Sequence, residues 1–405
     1  MNDCAEAPPI VELVEDARSL DALCARIATI PRLALDVEAD GLHAFRPKLC
    51  TLQLGFEGDG GARHVAVIDT LAVPVAPLAA ILGQGGPVKV LHDLTFDAKM
   101  LAEAGVALGR VRDTSIAARL LGHQATGLGT LLEAELGVKV DKHLQQHDWA
   151  ARPLRPVQLA YLADDVAHLL ALDDRLAERA EEADLVEEIA EECAYRLVAA
   201  SAPPRDPRPA YVRVKGAAAL DRLGRAVLRR LVEARERAAE RLDVPPFKVV
   251  GNDVLLELAR RRPITMADLR AVRGTMAGRA ARAAGAMLEA VATGVADGEI
   301  PEDDRALFDP PRPDRAILAG RRAVEARVSG WRRAEAKRRG VDEQAVLPGH
   351  CAQDVADALL AHGGDDAARR AAIQAIPGLG ARRLSRYLDA LGALGATSAQ
   401  GGDPR

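Results

Sequence analysis

The chain has 405 residues, 49% apolar and 28% charged, which fits globular domains and excludes a disordered segment. That length exceeds one ordinary core and suits two or three domains. No apolar run approaches the ~20 residues of a membrane-spanning helix. The acidic start, MNDCAEAPPIVELVEDARSL, lacks the basic and apolar regions of a signal peptide.

The five cysteines (Cys4, Cys24, Cys50, Cys193, Cys351) are scattered and form no CxxC. Neither a disulfide framework nor a zinc knuckle is expected, and the chain reads as reduced and cytoplasmic, with no membrane partner. The net charge of -5 hides a split. Residues 1–212 hold 20 Lys+Arg against 33 Asp+Glu, a net of -13, and residues 213–405 hold 34 against 26, a net of +8. A basic half joined to an acidic one suggests two tasks, one of them meeting a polyanion. The alternative is arginine-rich usage alone, and charge by itself places nucleic acid only slightly ahead of it.

In chain order, apolar or alternating runs predict short strands at 33–37, 51–56, 65–68 and 88–91, with the turn EGDGGA at 57–62. The first three in close succession suggest an antiparallel meander. Helix-period segments follow near 95–104, 114–121, 127–136 and 156–174, so a mixed α/β sheet covered by helices is expected over 1–175. An acidic periodic helix over 173–192 and the proline-rich SAPPRDPRP (201–209) set off 176–212 as a helix and linker.

Beyond the linker the pattern is almost wholly helical, and it recurs. VPPFKVVGNDVLLELA (244–259) aligns with AVLPGHCAQDVADALLA (345–361), and ADLRAVRGTMAG (267–278) with AAIQAIPGLGAR (371–382), at offsets near 101 to 104. Two all-α domains of ~80 residues are expected, 213–297 and 313–396, joined by a Pro- and Asp-rich spacer at 297–315.

Certain carboxylates stand in patterns that suit chemistry. Asp36 and Glu38 lie two apart in LALDVEAD, so on a strand they share a face while Leu33, Leu35 and Val37 take the other. Two adjacent acids repel, so they either flank a cation or face water. Asp97, in KVLHDLTFDAKML, falls in a first helical turn, where an acid also complements the helix dipole. Tyr161 and Asp165 are i and i+4 on one helix and share a face, whereas Asp164 reads as solvated. Asp113 is a candidate helix cap. His92 either ends its strand with a hydrogen bond or touches substrate. Trp149 either stacks on a base or locks its loop. His43 is a candidate contact for a terminal nucleotide, and Asp40 reads as loop surface.

A strand D-x-E, an acid opening a later helix and a Y-x-x-x-D helix, in that order, resemble the four-acid 3′–5′ exonucleases with a tyrosine in the last motif. HDWAARPL (147–154) and GLGTLLEAELGVKVDK (127–142) resemble the matching stretches of the bacterial ribonuclease D family. The helical blocks resemble the helicase-and-RNase-D C-terminal (HRDC) domain, present twice. The resemblance implies a ribonuclease-H-like exonuclease domain followed by two small helical bundles. It implies a monomer that trims RNA 3′ ends, tRNA precursors foremost, to nucleoside 5′-monophosphates.

It also implies two divalent ions, Mg²⁺ or Mn²⁺. Asp36 would bridge them, Glu38 and Asp165 would complete the site of the ion that activates water, and Asp97 would support the second. Tyr161 would orient the water, because a phenol with an ordinary pKa of about 10 is a poor base. Phosphodiester hydrolysis suits such a pair ~3.5–4 Å apart, and hard ions prefer oxygen ligands. One departure is Ala39, where many relatives carry an aromatic. A DNA exonuclease of the same superfamily and a non-catalytic RNA-binding scaffold are the alternatives. The presence of all four acids and the tyrosine speaks against the scaffold.

The first helical block holds 17 basic against 11 acidic residues over 213–300, with Arg222, Arg225, Arg229, Arg230 and Arg260–Arg262 prominent; residues 301–405 hold 17 against 15. Arginine suits phosphate, and the scarcity of aromatics beyond Phe247, Trp331 and Tyr387 favours backbone over base recognition. IPGLGARRL (376–384) fits either a phosphate-cradling hairpin or a helix cap. TMAG (275–278) lacks the second hairpin glycine, which ranks the first block behind it.

Overall fold

The computed structural model describes residues 8–141, 143–202, 206–308 and 314–395. Cys4, parts of the linker and spacer, and the end of the second helical block at 396 lie outside the described residues.

Six strands form one mixed sheet: β1 (Ile10–Val14), β2 (Arg32–Ala39), β3 (Leu49–Glu57), β4 (Arg63–Asp69), β5 (Val88–Leu91) and β6 (Val111–Asp113), in the order β1-β4-β3-β2-β5-β6. β3 and β4 are antiparallel, with Thr51 opposite Asp69 and Glu57 opposite Arg63. β1 runs parallel to β4, β2 to β5 and β5 to β6. The strands not foreseen, β1 and β6, lie at the two edges and have five and three residues, too few to show a period.

The helices of this region are α1 (Ala17–Ile27), α2 (Ala79–Leu82), α3 (Leu94–Glu103), α4 (Thr114–Leu120), α5 (Leu128–Leu136), α6 (Pro156–Ala167), α7 (Leu169–Glu182) and α8 (Val186–Ala200). The single helix expected over 156–174 breaks at His168 (φ -114°, ψ -1°). The acidic helix expected over 173–192 is interrupted at Asp184, which takes a left-handed φ of 52°.

β2 is buried on both sides, with Leu33, Ala34 and Leu35 at 0% exposure. α6 packs over the face that carries Ala34, where Tyr161, Leu162 and Val166 join Val65, Val67 and Val90 in one cluster. The approach is close: a Cβ on Gly55 would stand 3.0 Å from the Val166 carbonyl oxygen and 3.2 Å from the Ala34 Cβ. A larger residue on β3 would lift α6 off the sheet.

The chain divides into two compact units. One comprises Met1–Glu38, Leu49–Ala202 and Pro313–Arg405; the other comprises Ala39–Lys48 and Pro203–Arg312. The second unit contains α9 (Arg222–Leu242), α10 (Asn252–Arg261), α11 (Met266–Arg270), α12 (Gly278–Asp297) and α13 (Glu302–Phe308) around a core that includes Leu228, Leu231, Leu258, Leu269, Met287 and Val291. α9 and α12 touch backbone to backbone, because a Cβ on Gly294 would lie 2.5 Å from the Val227 Cα. The segment after β2 joins this unit: Phe45 packs on its core, and the Phe45 amide donates to Asp243 Oδ1 at 3.1 Å.

The C-terminal block, α14 (Arg315–Arg339), α15 (Glu343–Val346), α16 (Gly349–Ala361), α17 (Asp366–Gln374) and α18 (Ala381–Ala393), belongs to the first unit. Like the 213–297 block it begins on a long helix, passes a proline-bearing turn, and ends on three helices of which the middle one is the shortest. Its arginines face the acids of the α7–α8 region. Glu188, 0% exposed, lies 3.6 Å from Arg339 and 3.3 Å from Arg386. Asp184 pairs with Arg382 at 2.9 Å and with Arg386 at 2.7 Å. Arg383, also 0% exposed, donates to the Ala345 carbonyl at 3.0 Å. These positive charges are neutralised within the chain.

Candidate active site

Asp36 and Glu38 project from β2 on the face that α6 covers. α6 starts with Pro156 in its first turn and with Gln158 closing a capping box on Arg155. Its i, i+4 pair Tyr161 and Asp165 therefore comes down onto the strand. One oxygen each from Asp36, Glu38 and Asp165 lies within 4.8 Å of the others.

Burial pushes all three acids up: Asp36 to about 7, Glu38 to about 9 with added repulsion from Asp36 and Asp165, and Asp165 to about 8 with added repulsion from Asp36 and Asp164. Asp97, 4% exposed on α3, stands outside this triplet and is held well above the usual carboxylate range by burial and then by Asp36. Its Oδ2 has no hydrogen-bond partner, and none of the four acids pairs with a Lys or Arg among the described residues. Unneutralised hard-oxygen donors gathered at one partly buried point fit a divalent cation.

The placement of Asp97 depends on a residue whose full role the sequence did not reveal. Asp113 caps its own helix, α4, accepting from the Ser115 amide at 2.8 Å and the Ile116 amide at 3.1 Å. The same carboxylate also accepts from the Asp93 amide at 3.2 Å and the Leu94 amide at 2.7 Å, at the start of α3. Thr114 Oγ1 donates to the Leu91 carbonyl at 3.1 Å and shares a 2.8 Å hydrogen bond with His92 Nδ1. The turn from β5 into α3, with Asp93 at φ 65°, is thus held from β6 and the start of α4. Sequence can show a cap for the following helix but not one for a helix twenty residues upstream.

Tyr161 is 6% exposed, and burial followed by the charge of Asp165 raises its hydroxyl above the ordinary phenol range. It stays protonated at neutral pH. Trp149 is 1% exposed with its ring centre 5.7 Å from that of Tyr161, which favours the second of the two readings, a residue that locks its loop. Arg152 fastens the same loop to the sheet, donating to Asp69 Oδ1 at 2.7 Å, the Cys50 carbonyl at 2.9 Å and the Trp149 carbonyl at 2.7 Å. Neither Asp69 nor Arg152 stood out in sequence, because their link is long-range.

His92 is tied to Thr114 and lines a cavity of ≈ 700 Å³ with Thr95, Arg119, Gln145 and Arg196. His43 lies in the 39–48 segment, its amide donating to the Asp40 carbonyl at 2.6 Å. Asp40 is not loop surface: it is 4% exposed and organises its turn, accepting from the Lys48 amide at 2.6 Å.

Carboxylates from a central strand and the helix across it, gathered beside a tyrosine on one mixed sheet, suit the catalytic domain of a metal-dependent 3′–5′ exonuclease. The comparisons agree. A 3′–5′ exonuclease family model matches residues 11–181, and an HRDC domain model matches residues 224–291. Ribonuclease D of Acidiphilium cryptum (strain JF-5) is 34% identical over 301 residues, which is 73% of this chain and 75% of the relative. Ribonuclease D of Pseudomonas paraeruginosa (strain DSM 24068 / PA7) is 36% identical over 271 residues, 65% of this chain and 69% of the relative. The crystal structure of Escherichia coli RNase D, an exoribonuclease involved in structured RNA processing, superposes with a TM-score of 0.67 at 23% identity, over 95% of this chain and 98% of that one. That likeness shows the shared fold. The chain belongs to the ribonuclease D family and is a 3′–5′ exoribonuclease.

Proposed function

We propose that Asp36, Glu38, Asp97 and Asp165 hold two divalent cations, Mg²⁺ or Mn²⁺, and that RNA 3′ ends are cleaved there to nucleoside 5′-monophosphates. The meeting of three carboxylates within 4.8 Å of one another carries this reading. Such cations neutralise phosphate charge and make water more acidic. The charge of Asp36 reaches Glu38, Asp97 and Asp165 alike, which suits it to the bridging place. Glu38 and Asp165 then serve one cation and Asp97 the other. Tyr161, held protonated, orients the attacking water by hydrogen bonding, and Trp149 fixes the tyrosine ring. His92 and His43 are the candidate contacts to terminal nucleotides.

The substrates we favour are structured RNAs with a free 3′ end, tRNA precursors foremost, handled by a cytoplasmic monomer. Among the described residues no helix is long and apolar enough to cross a membrane. We read the chain as an exonuclease domain over 1–175, a connecting region over 176–212 and HRDC-like domains over 213–297 and 313–396. The shared order of elements supports the second HRDC-like domain. The test is product analysis with an RNA labelled at every internal phosphate. Stepwise release of 5′-mononucleotides that EDTA abolishes is expected; release of oligonucleotides, or activity that survives EDTA, would overturn the reading.

A further inference from the structure

The segment between α5 and α6 brings three rings to the α6 face that carries Tyr161. The His147 ring meets the Trp149 ring edge to face, with centres 5.1 Å apart, and Trp149 in turn lies 5.7 Å from Tyr161. Gln158, one turn before Tyr161 on α6, donates its amide to His147 Nε2, which ties this end of the segment to the helix. Tyr161 has a second aromatic neighbour. The His143 ring stands with its centre 6.4 Å away at an interplanar angle of 84°. That is the edge-to-face arrangement in which the positive rim of one ring meets the negative face of another.

His143 is held in place although 51% of its side chain is exposed. Asp141 takes it at two points: Oδ1 accepts from the His143 amide at 2.9 Å, and Oδ2 stands 2.8 Å from Nδ1 of the ring. A carboxylate that engages both the amide and the ring of one residue fixes the direction of that side chain, against the rotamer freedom that an exposed histidine would otherwise keep. Leu144, the next residue, packs on the cluster that contains Trp149, Tyr161 and Val166, and so anchors the turn from below. Asp141 is also felt at the tyrosine: burial raises the Tyr161 hydroxyl first, followed by the charges of Asp165, Glu38, Asp36 and Asp141. Nothing in the sequence marks His143, since a lone histidine in a loop has neither period nor motif. It lies outside the triplet of carboxylates, and its ring contact in the site is with Tyr161.

We propose that His143, held by Asp141, is a positioning residue for hydrolysis: together with Trp149 it fixes the Tyr161 ring and so aims the Tyr161 hydroxyl at the attacking water. The inference rests on the reading of Tyr161 as the group that orients the water. α6 sets where the Tyr161 backbone lies, and the ring contacts set the rest. A phenol hydroxyl sits at the far end of its ring, so a small tilt of the ring displaces it, and a misplaced positioning group costs rate rather than affinity. Asp141 acts one step further out, by holding His143.

The test is a double-mutant cycle on the full chain, read as kcat and KM on a short single-stranded RNA with Mn²⁺. Because the His143 side chain is half exposed, its replacement leaves no cavity. His143→Ala should lower kcat about tenfold and leave KM within about twofold. His143→Phe restores a ring and should recover kcat to within about threefold of the parent. His143→Gln keeps a hydrogen-bonding group without a ring and should stay as slow as the Ala variant. Tyr161→Phe keeps the ring contact but removes the hydroxyl, so in that background His143→Ala should change kcat less than about twofold. Parental kcat in His143→Ala overturns the proposal. So does a tenfold loss that persists in the Tyr161→Phe background, which would give His143 a role of its own, and so does a Phe variant as slow as the Ala variant. Parental kcat in Tyr161→Phe alone would instead overturn the reading of Tyr161 on which the proposal rests.

Discussion

An oxygen of Asp36, on the central strand, lies within 4.8 Å of an oxygen of Asp165, on the helix laid across it. Neither acid pairs with a Lys or Arg among the described residues. Two half-buried carboxylates so placed cannot both ionise cheaply without a cation. That relationship ties metal affinity, protein stability and pH together.

The sign of the pH effect follows from the direction of the shifts. An acid whose native pKa lies above its unfolded value stabilises the fold while protonated, and that stability is lost as pH rises through the native value. With ordinary values of 3.8 for Asp36 and Asp165 and 4.5 for Glu38, raised in the fold to about 7, 8 and 9, the loss begins near pH 4 and is complete by about pH 9. The melting temperature of metal-free protein should fall across that window. Mn²⁺ should restore it more at the alkaline end, and its affinity should rise by up to about tenfold per pH unit for each proton displaced. Calorimetry at several pH values checks both, and a pH-independent affinity would contradict the coupling.

Neutralising one member should separate stability from function. Asp165→Asn removes a group that repels Asp36 when ionised, so above about pH 8 the metal-free variant should melt higher than its parent. Its kcat should drop on the order of 10³-fold, with RNA affinity unchanged. Scanning calorimetry and filter binding beside the rate assay distinguish this from misfolding. A variant that is active at the parental rate would remove Asp165 from the site.

Tyr161→Phe tests positioning against base catalysis. Loss of the hydroxyl should lower kcat by about 10²-fold and leave KM unchanged. The pH profile should keep its shape, because the Tyr161 hydroxyl is raised above the range in which the enzyme is assayed. A vanished alkaline limb would assign the tyrosine a titrating role.

Asp113→Ser should uncouple the two helices that one carboxylate holds. Serine still caps α4 but is too short to reach the Asp93 and Leu94 amides that start α3. The Mn²⁺ concentration for half-maximal rate should rise about tenfold. Asp113→Ala should show the same shift and melt about 1 kcal/mol less stable than the Ser variant. Metal titrations read the first effect and melting reads the second. Parental metal dependence in Asp113→Ser would mean that α3 is held by other contacts.

The C-terminal arginines make a stability prediction in place of an RNA-binding one. Arg383→Ala removes the ion-pair partner of Glu191 and the donor to the Ala345 carbonyl at a fully buried position and should cost about 3–5 kcal/mol. Arg321→Ala, which removes an exposed pair with Glu325, should cost no more than about 1 kcal/mol. Denaturant melts compare them directly, and equal losses would contradict the docking described for α8 and α18.

Much of this was legible because it is local. A two-residue spacing on a strand and a four-residue spacing on a helix placed Asp36 beside Glu38 and Tyr161 beside Asp165 before any coordinates. The strands with an apolar period were found, and the edge strands β1 and β6 were missed because they are too short to have one. What escaped was non-local. The second set of hydrogen bonds to Asp113, the Arg152–Asp69 clamp and the burial of Asp40 depend on partners far away in the chain or on a turn with no periodic signal. The charge split was real but was read too simply. Arg339, Arg382, Arg383 and Arg386 meet Asp184, Glu188 and Glu191, so much of the C-terminal positive charge is balanced internally.

The most direct test of the central claim is an anomalous-scattering map from crystals of the full chain soaked with Mn²⁺ and a nucleoside 5′-monophosphate. The account predicts two manganese peaks enclosed by Asp36, Glu38, Asp97 and Asp165, with the nucleotide phosphate between them and the Tyr161 hydroxyl. A nucleotide bound with no manganese at these carboxylates, or manganese ligated elsewhere, would contradict it.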